Sequence, residues 1–132
     1  MSTARLPVLL ALTLAAASPA WALDSERLNR ELLKLDPVTR LEQACDTEVM
    51  LRINKENRDY SVDKVIAYTF TNPTIGPNSI KAPGAALRSR GTWYHLSFYC
   101  ETEAEHLDAK KLSYEIGTAI PREDWEQYYL YD

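Results

Sequence analysis

Apolar residues form one nearly continuous run at the start of the chain and periodic patterns in the remainder. The run, residues 6–17, follows Arg5 and precedes the small residues Ala20 and Ala22. A secretory signal peptide typically has a positively charged start, an apolar centre of about a dozen residues and small residues before the cleavage site. A membrane-spanning helix needs about 20 apolar residues. The pattern therefore predicts a signal peptide over 1–22, cleavage after Ala22 and no transmembrane anchor afterwards.

Apolar positions three or four residues apart predict two helices. The first begins near Asp24 or Ser25 and ends before Pro37. The second begins at Asp36-Pro37, since Asp36 can accept bonds from the first free N–H groups and proline needs none there. The second helix is predicted to end within residues 54–57. Its core-facing stripe, which includes a cysteine, consists of Val38, Leu41, Cys45, Val49 and, at its last position, Arg52 or Ile53.

β-Branched and aromatic residues over 62–70 predict a strand. Residues 71–84 contain three prolines and two glycines, which favours a loop. A further strand is predicted over 112–116, where apolar and polar residues alternate, and it ends before Pro121. The aromatic spacing over 122–129 predicts a last short helix whose aromatic side chains pack on the sheet edge.

Residues 84–101 predict a hairpin, because Gly91-Thr92 fits a two-residue type II′ turn and places Arg90 opposite Trp93. Strand alternation then separates the side chains onto two faces. The apolar face consists of Ala85, Leu87, Tyr94, Leu96, Phe98 and Cys100. The other face consists of Arg88, Arg90, Trp93, His95, Ser97 and Tyr99.

Cys45 and Cys100 are the only cysteines, and both are predicted to face the same core. An oxidising compartment favours a bond between them, with two free buried thiols as the alternative. Residues 23–132 are therefore predicted to be one α+β domain. The predicted fold is a small antiparallel sheet of three or four strands with a long N-terminal helix packed on one face and one disulfide.

The charge balance disfavours nucleic acid as a partner. Arg5 is the only charged residue in 1–22, so the predicted mature chain carries 14 basic and 19 acidic residues, a formal charge of −5. Binding to nucleic acid phosphates needs a concentrated basic surface, which this composition does not provide.

Known enzyme and metal motifs are missing from the sequence. G-x-S-x-G, a phosphate loop, H-E-x-x-H and C-x-x-C do not occur. Strand parity places His95 and Cys100 on opposite faces, which disfavours a zinc site. His106 lies in an acidic run and is predicted to be solvated. No metal and no cofactor are predicted.

The best candidate site is the polar face of the hairpin, where five side chains could recognise an anion or a protein: Arg88, Arg90, Trp93, His95 and Tyr99. Arginine binds carboxylate and phosphate, and neighbouring aromatic rings add contact area. The same cross-strand pairs also stabilise an ordinary solvent-facing sheet. The leading hypothesis is a non-catalytic module that binds an envelope protein or an anionic small ligand. The alternative is a periplasmic enzyme acting on an anionic or cell-wall substrate, with His95 as general base.

Three stretches of the sequence resemble a known family: LLKLDPVTRLEQACDTEVMLRI, GAALRSRGTWYHLSFYCE and YEIGTAIPREDWEQYYLY. The patterns LDP-TRLEQ-C and RSRG-WY-LSF-CE are similar to those of the bacterial "domain of unknown function 930" family of exported proteins. The resemblance implies a periplasmic or envelope location in Gram-negative bacteria, with Cys45 and Cys100 as part of the family framework. It implies no activity and no catalytic residues.

Overall fold

The computed structural model describes residues 20–132, with backbone only for 20–24. Most of the predicted signal peptide lies outside the described residues, so cleavage after Ala22 stays a prediction. No helix among the described residues is long and apolar enough to cross a membrane.

Two helices open the described chain. Helix α1 spans Ala20–Leu33 and helix α2 spans Pro37–Glu56. The predicted cap is confirmed, because Asp36 Oδ1 accepts a hydrogen bond from the Thr39 backbone N–H at 3.1 Å. The long helix is thus the second one, not the N-terminal one.

One face of α2 is buried, and its buried residues are Leu41, Ala44, Cys45, Val49 and Ile53. Val38 was predicted on this stripe but is exposed. The buried face packs against β-strands, which places the helix across one side of a sheet.

The sheet has five antiparallel strands, which corrects the predicted three or four. They are β1 (Val62–Ile66), β2 (Thr74–Ile75), β3 (Ser79–Ser89), β4 (Thr92–Thr102) and β5 (Ala109–Ala119). The order is β1-β3-β4-β5, and β2 also pairs with β3. The segment predicted as a loop over 71–84 contains the additional strand, β2, and the first half of β3.

Proline and glycine in this segment mark a bulge inside β3. The β3–β4 register shifts between Ala82 and Ala85, so Pro83 and Gly84 lie at an irregularity where a missing N–H is tolerated. A Cβ on Gly84 would lie 2.7 Å from the Thr71 backbone nitrogen. Glycine is therefore required for the close approach of the 70–71 backbone.

The predicted hairpin turn is wrong by one position. Ser89 pairs with Thr92 and Arg88 pairs with Trp93, so the turn residues are Arg90 and Gly91. Both have positive φ, 47° and 76°, as a type I′ turn requires. The pairing shifts by two residues, an even number, so the side chains of the paired residues stay on their predicted faces, while Arg90 lies in the turn instead of on the polar face.

Buried side chains form a separate cluster on each side of the sheet. The inner cluster lies between α2 and the sheet and includes Leu41, Cys45, Leu87, Phe98 and Cys100. The outer cluster consists of Ala86, Trp93, Ile120, Trp125 and Leu130. Residues 122–129 form two 3₁₀ turns, Arg122–Asp124 and Glu126–Tyr128, instead of the predicted α-helix.

The Cys45–Cys100 disulfide joins α2 to β4, with a Cα–Cα distance of 5.9 Å. Both cysteines are fully buried in the inner cluster. The predicted pairing is confirmed, and it fixes α2 to a central strand.

The double substitution Cys45→Ala/Cys100→Ala should lower the free energy of unfolding by roughly 4 kcal/mol, because the bond restricts an unfolded chain across 55 residues. Urea unfolding followed by circular dichroism measures the loss. Wild-type protein reduced with dithiothreitol is the control and should lose a similar amount. Two alkylatable thiols in the unreduced, unfolded protein would contradict the bond itself.

Candidate functional site

Arg88 is held by contacts within the protein. Its guanidinium donates to both carboxylate oxygens of Asp63, at 2.8 and 3.1 Å, and to the Tyr131 carbonyl at 3.3 Å. This hydrogen bonding lowers the pKa of Asp63 and raises that of Arg88. The Arg88 side chain is only 21% exposed, so little of it is left for a ligand.

Trp93 is buried, with 1% of its surface exposed. Its indole N–H donates to the Tyr131 carbonyl at 2.9 Å, and it packs with Trp125 and Leu130. The segment after β5 thus covers the part of the outer face that holds Trp93 and Arg88. Trp93 cannot contact a ligand while this segment is in place.

The other three predicted residues are exposed, but they do not lie together. Arg90 is at the hairpin turn and donates to the Asp59 carbonyl at 2.8 Å. His95 stacks on Phe70 with ring centroids 4.6 Å apart. Tyr99 lies four residues further along β4, where its hydroxyl donates to Glu101 at 3.0 Å. This hydrogen bond is the main reason why the pKa of Tyr99 is raised.

His95 and Tyr99 border a groove on the uncovered half of the outer face. Its larger part has a volume of about 440 Å³ and is lined by Lys81, Pro83, Ser97, Tyr99, Ser113 and Glu115, among others. A smaller hollow of about 150 Å³ shares Pro83, Ser97 and Glu115 and reaches His95. We call these two connected parts the outer groove.

The sheet register explains why the outer groove is open. Lys81, Tyr99 and Ser113 form one cross-strand row, and Ser97 pairs with Glu115 in the next. Beside His95, the β4–β5 register shifts between Tyr94 and Leu96. Gly117 lies there without a side chain, and a Cβ on it would come within 3.0 Å of the His95 Cβ. The missing side chain leaves room next to the imidazole.

The His95 imidazole forms no hydrogen bond with any described residue, although Ser97 and Glu115 line the same hollow. A general base is normally oriented by a hydrogen-bonding partner. The outer groove thus offers hydrogen-bonding groups and an aromatic ring, but no oriented base.

A second concave surface lies between α2 and β1 and extends to the segment after β5. Its volume is about 730 Å³, and we call it the α2–β1 cleft. Asp46 lies in its wall, and burial, followed by the nearby Glu42, raises the pKa of this carboxyl to about 8. The helical pattern could not identify Asp46, because it is the first of three consecutive polar residues, 46–48, and the sequence does not distinguish it from an exposed acid.

His106 is buried, which corrects its prediction as a solvated residue. Its Nδ1 lies 2.8 Å from the Pro37 carbonyl oxygen, and its Nε2 lies 3.0 Å from both the Pro77 carbonyl oxygen and Asn78 Oδ1. The ring thus connects the β4–β5 loop with the start of α2 and with the β2–β3 loop, a structural role.

Residues 25–132 contain no group of three or more His, Cys, Asp or Glu side chains arranged to hold a metal ion. Both cysteines are bonded to each other.

A family model described as Domain of Unknown Function (DUF930) matches residues 32–130. No curated protein and no solved structure matches the chain.

The raised pKa of Asp46 predicts that stability falls as pH increases. Between its ordinary value of 3.8 and about 8, the folded protein binds a proton that the unfolded chain does not. The protonated Asp46 carboxyl therefore makes its full contribution to the free energy of unfolding below about pH 4. This contribution decreases as the pH rises to about 8, by at most about 1.4 kcal/mol per pH unit.

Urea unfolding of wild type and Asp46→Asn over this pH range measures the effect. The asparagine variant should show a flatter profile and a relative gain in stability above pH 8, because it cannot ionise. Glu123→Gln, an exposed acid outside the cleft, is the control and should keep the wild-type slope. Parallel profiles for wild type and Asp46→Asn would contradict the assignment.

Proposed function

The chain belongs to the DUF930 family, and we propose that it is an exported, periplasmic or envelope domain that binds a partner protein without catalysis. The observation that carries this proposal is the outer groove, an uncovered concave surface on a sheet whose other face is closed by α2. Concave surfaces with a few directed polar groups are the usual form of binding sites.

The shape of the outer groove supports an extended peptide segment as the ligand. The groove follows β4 from His95 to Tyr99, four residue steps, or about 14 Å at 3.4 Å per residue. This length accommodates about four residues of an extended chain. Lys81 and Glu115 provide one charge of each sign, while Ser97, Tyr99 and Ser113 provide hydroxyl groups that can bond peptide N–H and C=O groups.

The structure changes which residues should be tested for binding. Arg88 binds Asp63 and Tyr131, so removing it would disturb the segment over Trp93 as well as any ligand contact. Tyr99 bonds Glu101 within the same strand. His95 stacks on Phe70, whose ring packs against Tyr128, so its contact with the C-terminal segment is indirect. Arg90 stays a candidate contact at the turn, away from the groove lining.

The enzyme alternative, with His95 as general base, receives less support from this geometry. The imidazole is stacked on Phe70 and has no hydrogen-bonding partner among the described residues. Binding therefore explains the arrangement better than catalysis does.

Substitution of His95 and Tyr99 by alanine should abolish recovery of the partner from envelope extracts in affinity purification. The control is Leu51→Ala/Lys55→Ala, which changes two exposed residues on α2 and should recover the partner like wild type. Both variants should keep the wild-type circular dichroism spectrum. Identical sets of proteins recovered by wild type and His95→Ala/Tyr99→Ala would remove the outer groove from the proposal.

If the protein is exported as proposed, its mature form should begin at a defined residue. Mass spectrometry of the full-length protein expressed in a Gram-negative host should find a periplasmic product that begins at Leu23. Ala22→Arg should block cleavage, because signal peptidase requires a small residue before the cut. A wild-type product that retains Met1 and the apolar run in the cytoplasm would contradict export.

A further inference from the structure

Strand β5 forms an open edge of the sheet. It pairs with β4 on one side, and no described strand pairs with its other side. No backbone hydrogen bond joins residues 109–119 to a described residue outside β4. Alternate N–H and C=O groups of β5 therefore point away from the sheet, where another strand can pair with them.

The opposite edge of the sheet is protected in ways that β5 is not. Strand β1 has only five residues and contains a bulge between Val62 and Lys64, and both features hinder the addition of a strand. Strand β5 has eleven residues and no proline. Its register with β4 is regular from Lys111 to Ile116, a segment about as long as an ordinary strand.

The inner face of this segment carries an incompletely covered apolar row. Leu112, Tyr114 and Ile116 pack against the inner cluster but are only partly buried. The Tyr114 hydroxyl donates to Glu56 of α2 at 2.9 Å, so the helix covers this row from the side of β4. A strand added beside β5 would remove more of the apolar surface from water, which is favourable.

The outer face of the segment is complementary in charge to a second copy of itself. Its residues Lys111, Ser113 and Glu115 are exposed, and neither charged side chain forms an ion pair with another described residue. Directly opposed residues of an antiparallel pair lie on the same face. When the Ser113 residues of two copies lie opposite each other, Lys111 of each copy lies opposite Glu115 of the other.

Neighbouring registers lack this complementarity. In a symmetric antiparallel pair, one residue lies opposite its own equivalent. Centring the pair on Leu112 or Tyr114 places Lys111 opposite an uncharged residue. Centring it on Lys111 or Glu115 places identical charges opposite each other, which is destabilising. Of these registers, only the one centred on Ser113 opposes the two charges, and it also places Leu112 opposite Tyr114 on the inner face.

We propose that two copies of this protein form a symmetric dimer by antiparallel pairing of their β5 strands, with Ser113 at the two-fold axis and Lys111 of each copy opposite Glu115 of the other. The two sheets then continue into one, and both α2 helices lie on the same face. The proposal does not rest on what the outer groove binds.

Sedimentation equilibrium of the purified, folded protein over a series of concentrations tests this proposal. Wild type should associate to the mass of two chains. Lys111→Glu and Glu115→Lys should each raise the dissociation constant of the dimer at least about tenfold, because each change places like charges opposite each other twice. Lys64→Glu makes the same charge change as Lys111→Glu, but on the opposite edge strand, and should dimerise like wild type.

Charge compensation distinguishes pairing in this register from a general loss of stability. An equimolar mixture of Lys111→Glu and Glu115→Lys should form mixed dimers, because both negative positions of the first variant lie opposite positive positions of the second. The double variant Lys111→Glu/Glu115→Lys should dimerise again, and it provides the test if a single variant does not fold. A monomeric wild type, a Lys111→Glu variant that dimerises like wild type, or a folded mixture or double variant that stays monomeric would overturn the proposal.

Discussion

The bond between Cys45 and Cys100 determines which side of the sheet is closed. It attaches the middle of α2 to β4, a central strand, and directs the buried stripe of the helix onto the inner face. The side chains on the outer face of β4 must then be covered by another part of the chain or remain exposed to solvent. The segment after β5 covers the half near the turn, and the outer groove is the uncovered half.

Local chemical signals predicted much of this arrangement. Asp36-Pro37 predicted the start of α2, because capping depends on adjacent residues alone. The two cysteines and the alternation along β4 predicted the disulfide and the two faces of the hairpin. The turn itself was wrong, since Gly91 was expected in the first turn position while the structure places Arg90 there with positive φ. Arginine carries no sequence signal for that conformation.

The remaining errors concern features that depend on distant parts of the chain. Proline and glycine over 71–84 predicted a loop, but a bulge lets β3 continue through Pro83 and Gly84. Alternation correctly assigned Trp93 to the outer face but could not reveal that Trp125 and Leu130 cover it. The same holds for His106, which is buried by contacts with Pro37, Pro77 and Asn78, segments far away in sequence. The sequence therefore predicted correctly on which face of the sheet each paired hairpin side chain lies. It did not predict which side chains are covered by other segments of the chain.

The placement of the aromatic residues affects how unfolding can be observed. Trp93 and Trp125 both belong to the outer cluster, and the inner cluster contains no tryptophan among the described residues. Intrinsic fluorescence of this domain consequently reports on the attachment of the C-terminal segment. Release of that segment alone would produce a spectral change while the disulfide-linked helix and sheet remained intact.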